Sequence, residues 1–396
     1  MTNRQDSRDP RLRAWAYLSR VVEGPSYALS ALIAQIGPED AAAAVRTAAL
    51  PEVLDRQTAA RRQHDNSARD LEILRELGGT LVTPDSSEWP HWRMLALDQP
   101  QCREVASAAP PIALWKRGPL PLDELTSTAV SVVGTRAPSS YGEHSALTLS
   151  ADLAAAGCTI ISGAAHGIDG CAHRAALSRD APTVAVLACG IDMPYPSTHA
   201  ALINEIARRS AVVTEYPPGT SPARFRFLAR NRLVAAFSDA VVVVEAGKRS
   251  GARNTAKWGR LYGRRVFAVP GPITSVSSVG CHQMIRLDEA VIATSAADVL
   301  TDSGLRERDL QRALVAADET DSSAERTTDG LTPPQLQVFD SLPLSGGADV
   351  SSIAGCAGLP PTTVRAAIAV LEMSGFAIRT DGGWRRKKLR ESRAGR

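Results

Sequence analysis

The spacing of apolar positions changes character along the chain. From Arg11 to Leu77 it is helical: Leu12, Trp15, Ala16 and Leu18, then Leu29, Leu32, Ile33 and Ile36. Gly24-Pro25 and Gly37-Pro38 punctuate this stretch, and Leu71, Leu74 and Leu77 lead into a Gly78-Gly79 stop. Residues 1–79 therefore read as a helical domain. From Thr80 to Gly118 the pattern turns irregular, with prolines at 84, 90, 100, 110 and 111. This segment predicts a short strand-and-loop bridge onto the next domain.

Near-continuous Val, Ile and Leu runs follow at 130–133, 159–162, 183–187, 211–214, 240–244, 266–269 and 290–293. Such runs suit parallel strands buried on both faces, and helical stretches lie between most of them. The alternation predicts a doubly wound parallel sheet from about 129 to 300, within a domain that spans 80–300 and includes the bridge over 80–128. Ligands of such sheets bind at the carboxyl ends of the strands. Gly134, Gly163, Gly190, Pro217-Pro218-Gly219, Gly247 and Pro270-Gly271 all fall just after predicted strands, so that edge is the expected site.

Residues 301–330 are polar and acidic, with Asp318-Glu319-Thr320-Asp321-Ser322-Ser323, and predict a linker. In 331–396, three apolar clusters predict helices: Leu336, Val338 and Phe339; Val350, Ile353 and Ala354; Val364, Ile368, Val370 and Leu371. Gly375-Phe376-Ala377-Ile378-Arg379 and Gly382-Gly383-Trp384-Arg385 then read as a hairpin. That order is the winged-helix plan, followed by a basic tail, Arg385-Arg386-Lys387-Lys388-Leu389-Arg390.

With 396 residues the chain exceeds one ordinary core. A net charge of +3 means that any binding of polyanions must come from local clusters. Aromatics are 5% of residues, so a stacking platform has few members to draw on. The six cysteines are scattered, without CxxC, and read as reduced thiols of a cytoplasmic protein. No apolar run is long enough for a membrane span, and the polar first residues do not read as a signal peptide.

Four segments carry the candidate chemistry. Gly134-Thr135-Arg136 offers backbone N–H groups, a hydroxyl and a guanidinium to a phosphate, or is an ordinary strand-to-helix turn. Ser162, Gly163 and Gly167 suggest a nest of N–H groups for an anion, with Asp169 capping or orienting the loop. The spacing of His166, Asp169, Cys171 and His173 does not match the common zinc patterns, so no metal is expected. Phe225-Arg226-Phe227-Leu228-Ala229-Arg230-Asn231-Arg232 combines two aromatics with three arginines, as single-stranded nucleic acid requires, or places Phe227 and Leu228 in the core and leaves the arginines solvated. Ser250-Gly251 places a helix start after a strand end, again favouring anions. Neither GxGxxG nor Walker A is present at these turns, and Glu245 has no nucleophile or second carboxylate in the pattern to support catalysis. No cofactor is expected.

Taken in order, several segments resemble the DNA-processing protein A family, DprA or Smf. They are Val-Val-Gly-Thr-Arg at 132–136, Ser-Gly with Gly-Ile-Asp and Ala-His at 162–173, Ile-Asp-Met-Pro-Tyr-Pro at 191–196 and Glu-Tyr-Pro-Pro-Gly at 215–219. Arg-Asn-Arg at 230–232, Val-Val-Glu-Ala with Arg-Ser-Gly at 243–251, Val-Phe-Ala-Val-Pro-Gly at 266–271 and Gly-Cys-His at 280–282 complete the set. The resemblance is close over the central domain and looser at both ends. It implies an extended Rossmann-like core with a SAM-like or helix-hairpin-helix N-terminal domain and a winged helix. It also implies single-stranded DNA binding, homodimerisation, and loading of the recombinase RecA in place of single-strand-binding protein, without enzymatic activity. Arg136 then matches the family's phosphate-binding arginine. His166 stands where the family commonly has Arg or Lys, and Arg253 is the candidate to restore that cation. Two other readings stay open from the residues: a nucleotide-binding hydrolase of phosphoribohydrolase type using Glu245 and Arg249, and a duplex-DNA regulator acting through the winged helix.

Overall fold

A computed structural model describes residues 6–305 and 331–387. They form two compact units, one on each side of the gap. The helix Ala296–Asp302 carries regular structure past the predicted start of the linker; the rest of that linker, and the tail beyond residue 387, lie outside the described residues.

The first unit is built on one nine-stranded sheet. Its strands are β1 (Gly79–Val82), β2 (Leu114–Arg117), β3 (Ala129–Val133), β4 (Thr159–Ser162), β5 (Thr183–Val186), β6 (Ala211–Thr214), β7 (Ala240–Val243), β8 (Arg265–Ala268) and β9 (Val291–Ile292). They run in the order β1-β2-β6-β5-β4-β3-β7-β8-β9. From β6 to β9 all neighbours are parallel, whereas β1, β2 and β6 pair antiparallel. The bridge over 80–118 is thus more than a connector, because both its strands extend the central sheet.

Alternation along each strand explains the two covered faces. On β3, Ala129 and Val133 pack with Leu233 of the helix Arg224–Ala236, Phe237 just past its end, and Trp258 of the helix Gly251–Leu261. Val130 and Val132 point the other way, against Leu149 and Leu153 of the helix Ser140–Ala155 and Ala172 of the helix Ile168–Ser178. Burying each large aliphatic side chain contributes about 1.5–3 kcal/mol, which continuous Val and Ile runs maximise.

Five helices precede the sheet: Pro10–Val21, Tyr27–Ile36, Pro38–Thr47, Glu52–Thr58 and Ser67–Glu76. Trp15, Tyr17, Leu18, Leu29 and Leu74 share one core with Leu81, Trp115, Ala185, Val212 and Ile206. The N-terminal helices therefore pack directly on the β1-β2-β6-β5 side of the sheet.

The second unit holds the helices Pro333–Ser341, Val350–Ala357 and Pro361–Met373, then the hairpin β10 (Ala377–Thr380) and β11 (Gly383–Arg386). Ala348 bridges to Trp384 as a short third strand. Val338, Phe339, Ile353, Val364, Ile368 and Leu371 form its core.

Candidate nucleic-acid interface

The chain runs from β3 outward through β4, β5 and β6, then returns to place β7 on the other side of β3. Loops leaving β3 and β7 therefore diverge, and a crevice opens at their carboxyl ends. A cleft of about 820 Å³ occupies that position. Its walls include Gly134, Thr135 and Arg136 from the β3 turn, Arg224, Phe227 and Asn231 from the helix Arg224–Ala236, and Arg249, Ser250, Gly251 and Asn254 from the turn and helix after β7.

Glu245 sets the shape of this edge. It is buried, and its carboxylate accepts from Ser139 N at 3.0 Å, Ser139 Oγ at 2.6 Å and Ser277 Oγ at 3.0 Å. Ser139 in turn caps the helix Ser140–Ala155, accepting from Gly142 N at 3.1 Å. A Cβ on Gly142 would lie 2.3 Å from Glu245 Oε2, so glycine is needed there. A carboxylate at a helix start is favoured by the helix dipole. With its oxygens committed in this way, Glu245 ties two strand ends together rather than facing the cleft as a base.

The second loop is organised by Asp169. Its Oδ2 accepts from Gly163 N at 3.1 Å and Ala165 N at 3.4 Å. The nest of N–H groups expected to hold an anion is thus filled by the chain's own carboxylate. Burial raises the Asp169 pKa, against the opposing pull of Arg230 and these hydrogen bonds. Ser162 also departs from expectation: it is fully buried on β4 and donates to Val132 O at 2.7 Å, away from the cleft. Gly167 has φ +76°, and a Cβ there would lie 2.4 Å from Thr135 O, so this glycine lets the β4 loop close on the β3 turn.

The arginines divide by helical geometry. Residues two apart on a helix point about 200° apart. Arg230 underlies the cleft, where Nη1 donates to Gly163 O at 2.6 Å and to Val186 O. Burial lowers its pKa, while Asp169 opposes that shift. Arg232 turns the other way and is corrected from ligand to core residue: fully buried, it donates to Glu215 at 2.8 and 2.6 Å and to Ala109 O at 3.1 Å. Asn231 lines the cleft and donates to Asn254 Oδ1 at 3.2 Å.

Arg253 is likewise removed from the cleft wall. Its guanidinium is held by Lys248 O and Gln283 Oε1, each at 3.0 Å, and by Glu289 at 3.4 Å. It does not replace a cation at 166. His166 is exposed outside the cleft wall, with its ring edge-on to His199 at 4.9 Å. His173 is buried, and its Nδ1 lies 2.7 Å from Thr183 Oγ1. Thr183 spends its proton on Ile160 O, so Nδ1 is the donor and Nε2 is left bare. Burial pushes this imidazole down to about 3. Among the described residues no cluster of His, Cys, Asp and Glu could hold a metal ion.

The cleft mouth carries a ladder of flat groups. The Arg136 guanidinium lies 5.1 Å from the Phe227 ring centre, and the Tyr195 ring lies 5.4 Å from Phe227. Arg224 and Arg249 add two exposed cations, so four arginines and one buried aspartate line the cleft. Arg224 and Tyr195 join the cleft from a first helical turn and a loop, where periodicity gives no signal of a ligand. Such a surface offers cations to phosphates and ring faces to bases.

Residues 80–304 match the family described as DNA recombination-mediator protein A. The chain belongs to that family. It is 48% identical over 377 residues to the putative DNA processing protein DprA of Mycobacterium tuberculosis, covering 95% of each chain. It is 34% identical over 311 residues to protein Smf of Escherichia coli, covering 77% of this chain and 76% of that one. The crystal structure of DNA processing protein A from Streptococcus pneumoniae is similar to it with a TM-score of 0.57 and 29% identity, over 74% of this chain and 95% of that one. The mixed α/β architecture with a large parallel sheet is thus shared with a DprA structure.

Proposed function

We propose that this DprA-family chain is a single-stranded DNA-binding recombination mediator, and that the cleft beyond β3 and β7 is where the strand is held. The observation that carries the reading is the Arg136–Phe227–Tyr195 ladder in a cleft lined by four arginines. Arg136, Arg224 and Arg249 meet phosphates, Phe227 and Tyr195 take base faces, and Ser250-Gly251 presents a helix start to the backbone. Loading of RecA, displacement of single-strand-binding protein and homodimerisation in the cytoplasm belong to the same reading, and they rest on family resemblance.

The hydrolase reading loses its base, because the Glu245 oxygens are taken by Ser139 and Ser277. The second unit is read as a winged helix and the first five helices as a SAM-like domain. The helix Pro361–Met373 presents Ala366, Ala369, Val370 and Met373 outward with one cation, Arg365, so protein contact suits it better than a DNA groove.

Fluorescence anisotropy of a labelled oligonucleotide, single-stranded against duplex of equal length and at several salt concentrations, tests the reading. Preference for the single strand with a steep salt slope is expected. Binding that favours duplex, or release of base from nucleoside monophosphates, overturns it.

A further inference from the structure

The N-terminal helices have no residue in the cleft, yet they grip the segment that builds one of its walls. Residues 216–226 run from the end of β6 into the first turn of the helix Arg224–Ala236, and supply Pro222, Ala223 and Arg224 to the cleft. Arg20, held by Asp70 at 2.5 and 2.7 Å, donates to Pro218 O at 2.8 Å. Glu23 accepts from Arg226 Nε at 2.9 Å and from Nη2 through the same oxygen, Oε1, while its Oε2 pairs with Arg61.

Arg226 is fully engaged. Its remaining nitrogen donates to Ser221 O, and the guanidinium lies 5.0 Å from the Phe225 ring centre and 5.7 Å from that of Tyr216. The Arg226 and Glu23 side chains are 16% and 24% exposed, so solvent screens this pair less than a surface ion pair. Arg226 is adjacent in sequence to Phe227, the middle member of the ladder.

We propose that Glu23 is a positioning residue for the DNA cleft. Through Arg226 it fixes the first turn of the helix Arg224–Ala236, and with it the Phe227 ring; the N-terminal helices are a strut of the binding site. The inference rests on the reading of the cleft as the single-strand site. A rival account has Arg226 as a phosphate ligand that Glu23 merely masks, and the two differ in sign.

The experiment uses the full chain and a single-stranded oligonucleotide carrying 2-aminopurine, with E23Q, R226A and the double variant. Positioning predicts that each single change weakens binding about tenfold, the size expected for losing a charge-assisted contact. It predicts that the double variant is no weaker than either single one, and that the salt slope is unchanged. At saturation, 2-aminopurine emission rises above the wild-type complex, because the base no longer finds a fixed ring. Tighter binding by E23Q, a slope shallower by about 0.7 in R226A, or additive losses overturn the proposal in favour of masking or direct contact. If the wild-type chain fails to bind the oligonucleotide, the functional reading falls first. Hydrogen exchange of the free protein then decides the inference by itself: E23Q speeds exchange over residues 224–230 if Glu23 positions them, and unchanged protection there overturns it.

Discussion

The guanidinium of Arg136 stands 5.1 Å from the centre of the Phe227 ring, which joins the turn after β3 to the first turn of the helix Arg224–Ala236. The two residues are expected to act on different parts of a nucleic acid. Arg136→Ala lowers affinity for all sequences and makes the salt slope shallower by about 0.7, one phosphate's share. Phe227→Ala costs about 1–3 kcal/mol of binding, the range for one stacked base, and leaves the slope unchanged. Anisotropy titrations at several salt concentrations check both.

Arg232 is expected to fail in a different way. Removing it strands Glu215, itself buried, without its partner. Arg232→Ala therefore costs about 3–5 kcal/mol of folding stability, read from urea unfolding. Protein that remains folded keeps the wild-type salt slope. A changed slope with unchanged stability would return Arg232 to the interface.

Gly167 permits the contact between the β3 and β4 loops. An alanine there suffers a positive-φ backbone that side chains disfavour, about 1–3 kcal/mol, and its Cβ meets Thr135 O. Gly167→Ala is expected to lower thermal stability and to weaken binding as the loops separate. Gly157→Ala, also at positive φ but with open space around its Cβ, lowers stability without touching binding.

His173 links stability to pH. Its imidazole is held neutral, with a pKa pushed from 6.5 down to about 3 by burial. Below pH 6.5 the unfolded chain binds a proton that the folded chain refuses. This stabilisation is therefore complete above pH 6.5 and is lost as pH falls towards 3, by about 1.4 kcal/mol per pH unit. Denaturant midpoints between pH 7 and 4 check the slope, and His173→Gln removes this share of it.

The parallel strands were legible because burial on both faces demands unbroken Val, Ile and Leu, as in Ala240-Val241-Val242-Val243. β1 and β2 were not legible as sheet members. Five prolines break the segment that contains them, and their place beside β6 is a pairing between residues far apart in sequence, such as Trp115 with Thr214. Arg230-Asn231-Arg232 reads as one basic cluster in a linear sequence and splits once it is wound on a helix. The partner that claims Arg232, Glu215, lies on a different element, so no local pattern announces it. Asp169 was legible as the organiser of its loop, but the N–H groups it consumes were not.

The margins of the sheet carry a last consequence. An open nine-stranded sheet has two flanks, and unpaired backbone on a flank is a template for adding a foreign strand. Here β9 contributes two residues, Val291 and Ile292, and the opposite flank, β1, has four, Gly79 to Val82, running against its neighbour. Neither margin offers a long ladder to a passing polypeptide. Short selvedges of this kind guard the sheet against strand addition, and so against edge-to-edge aggregation.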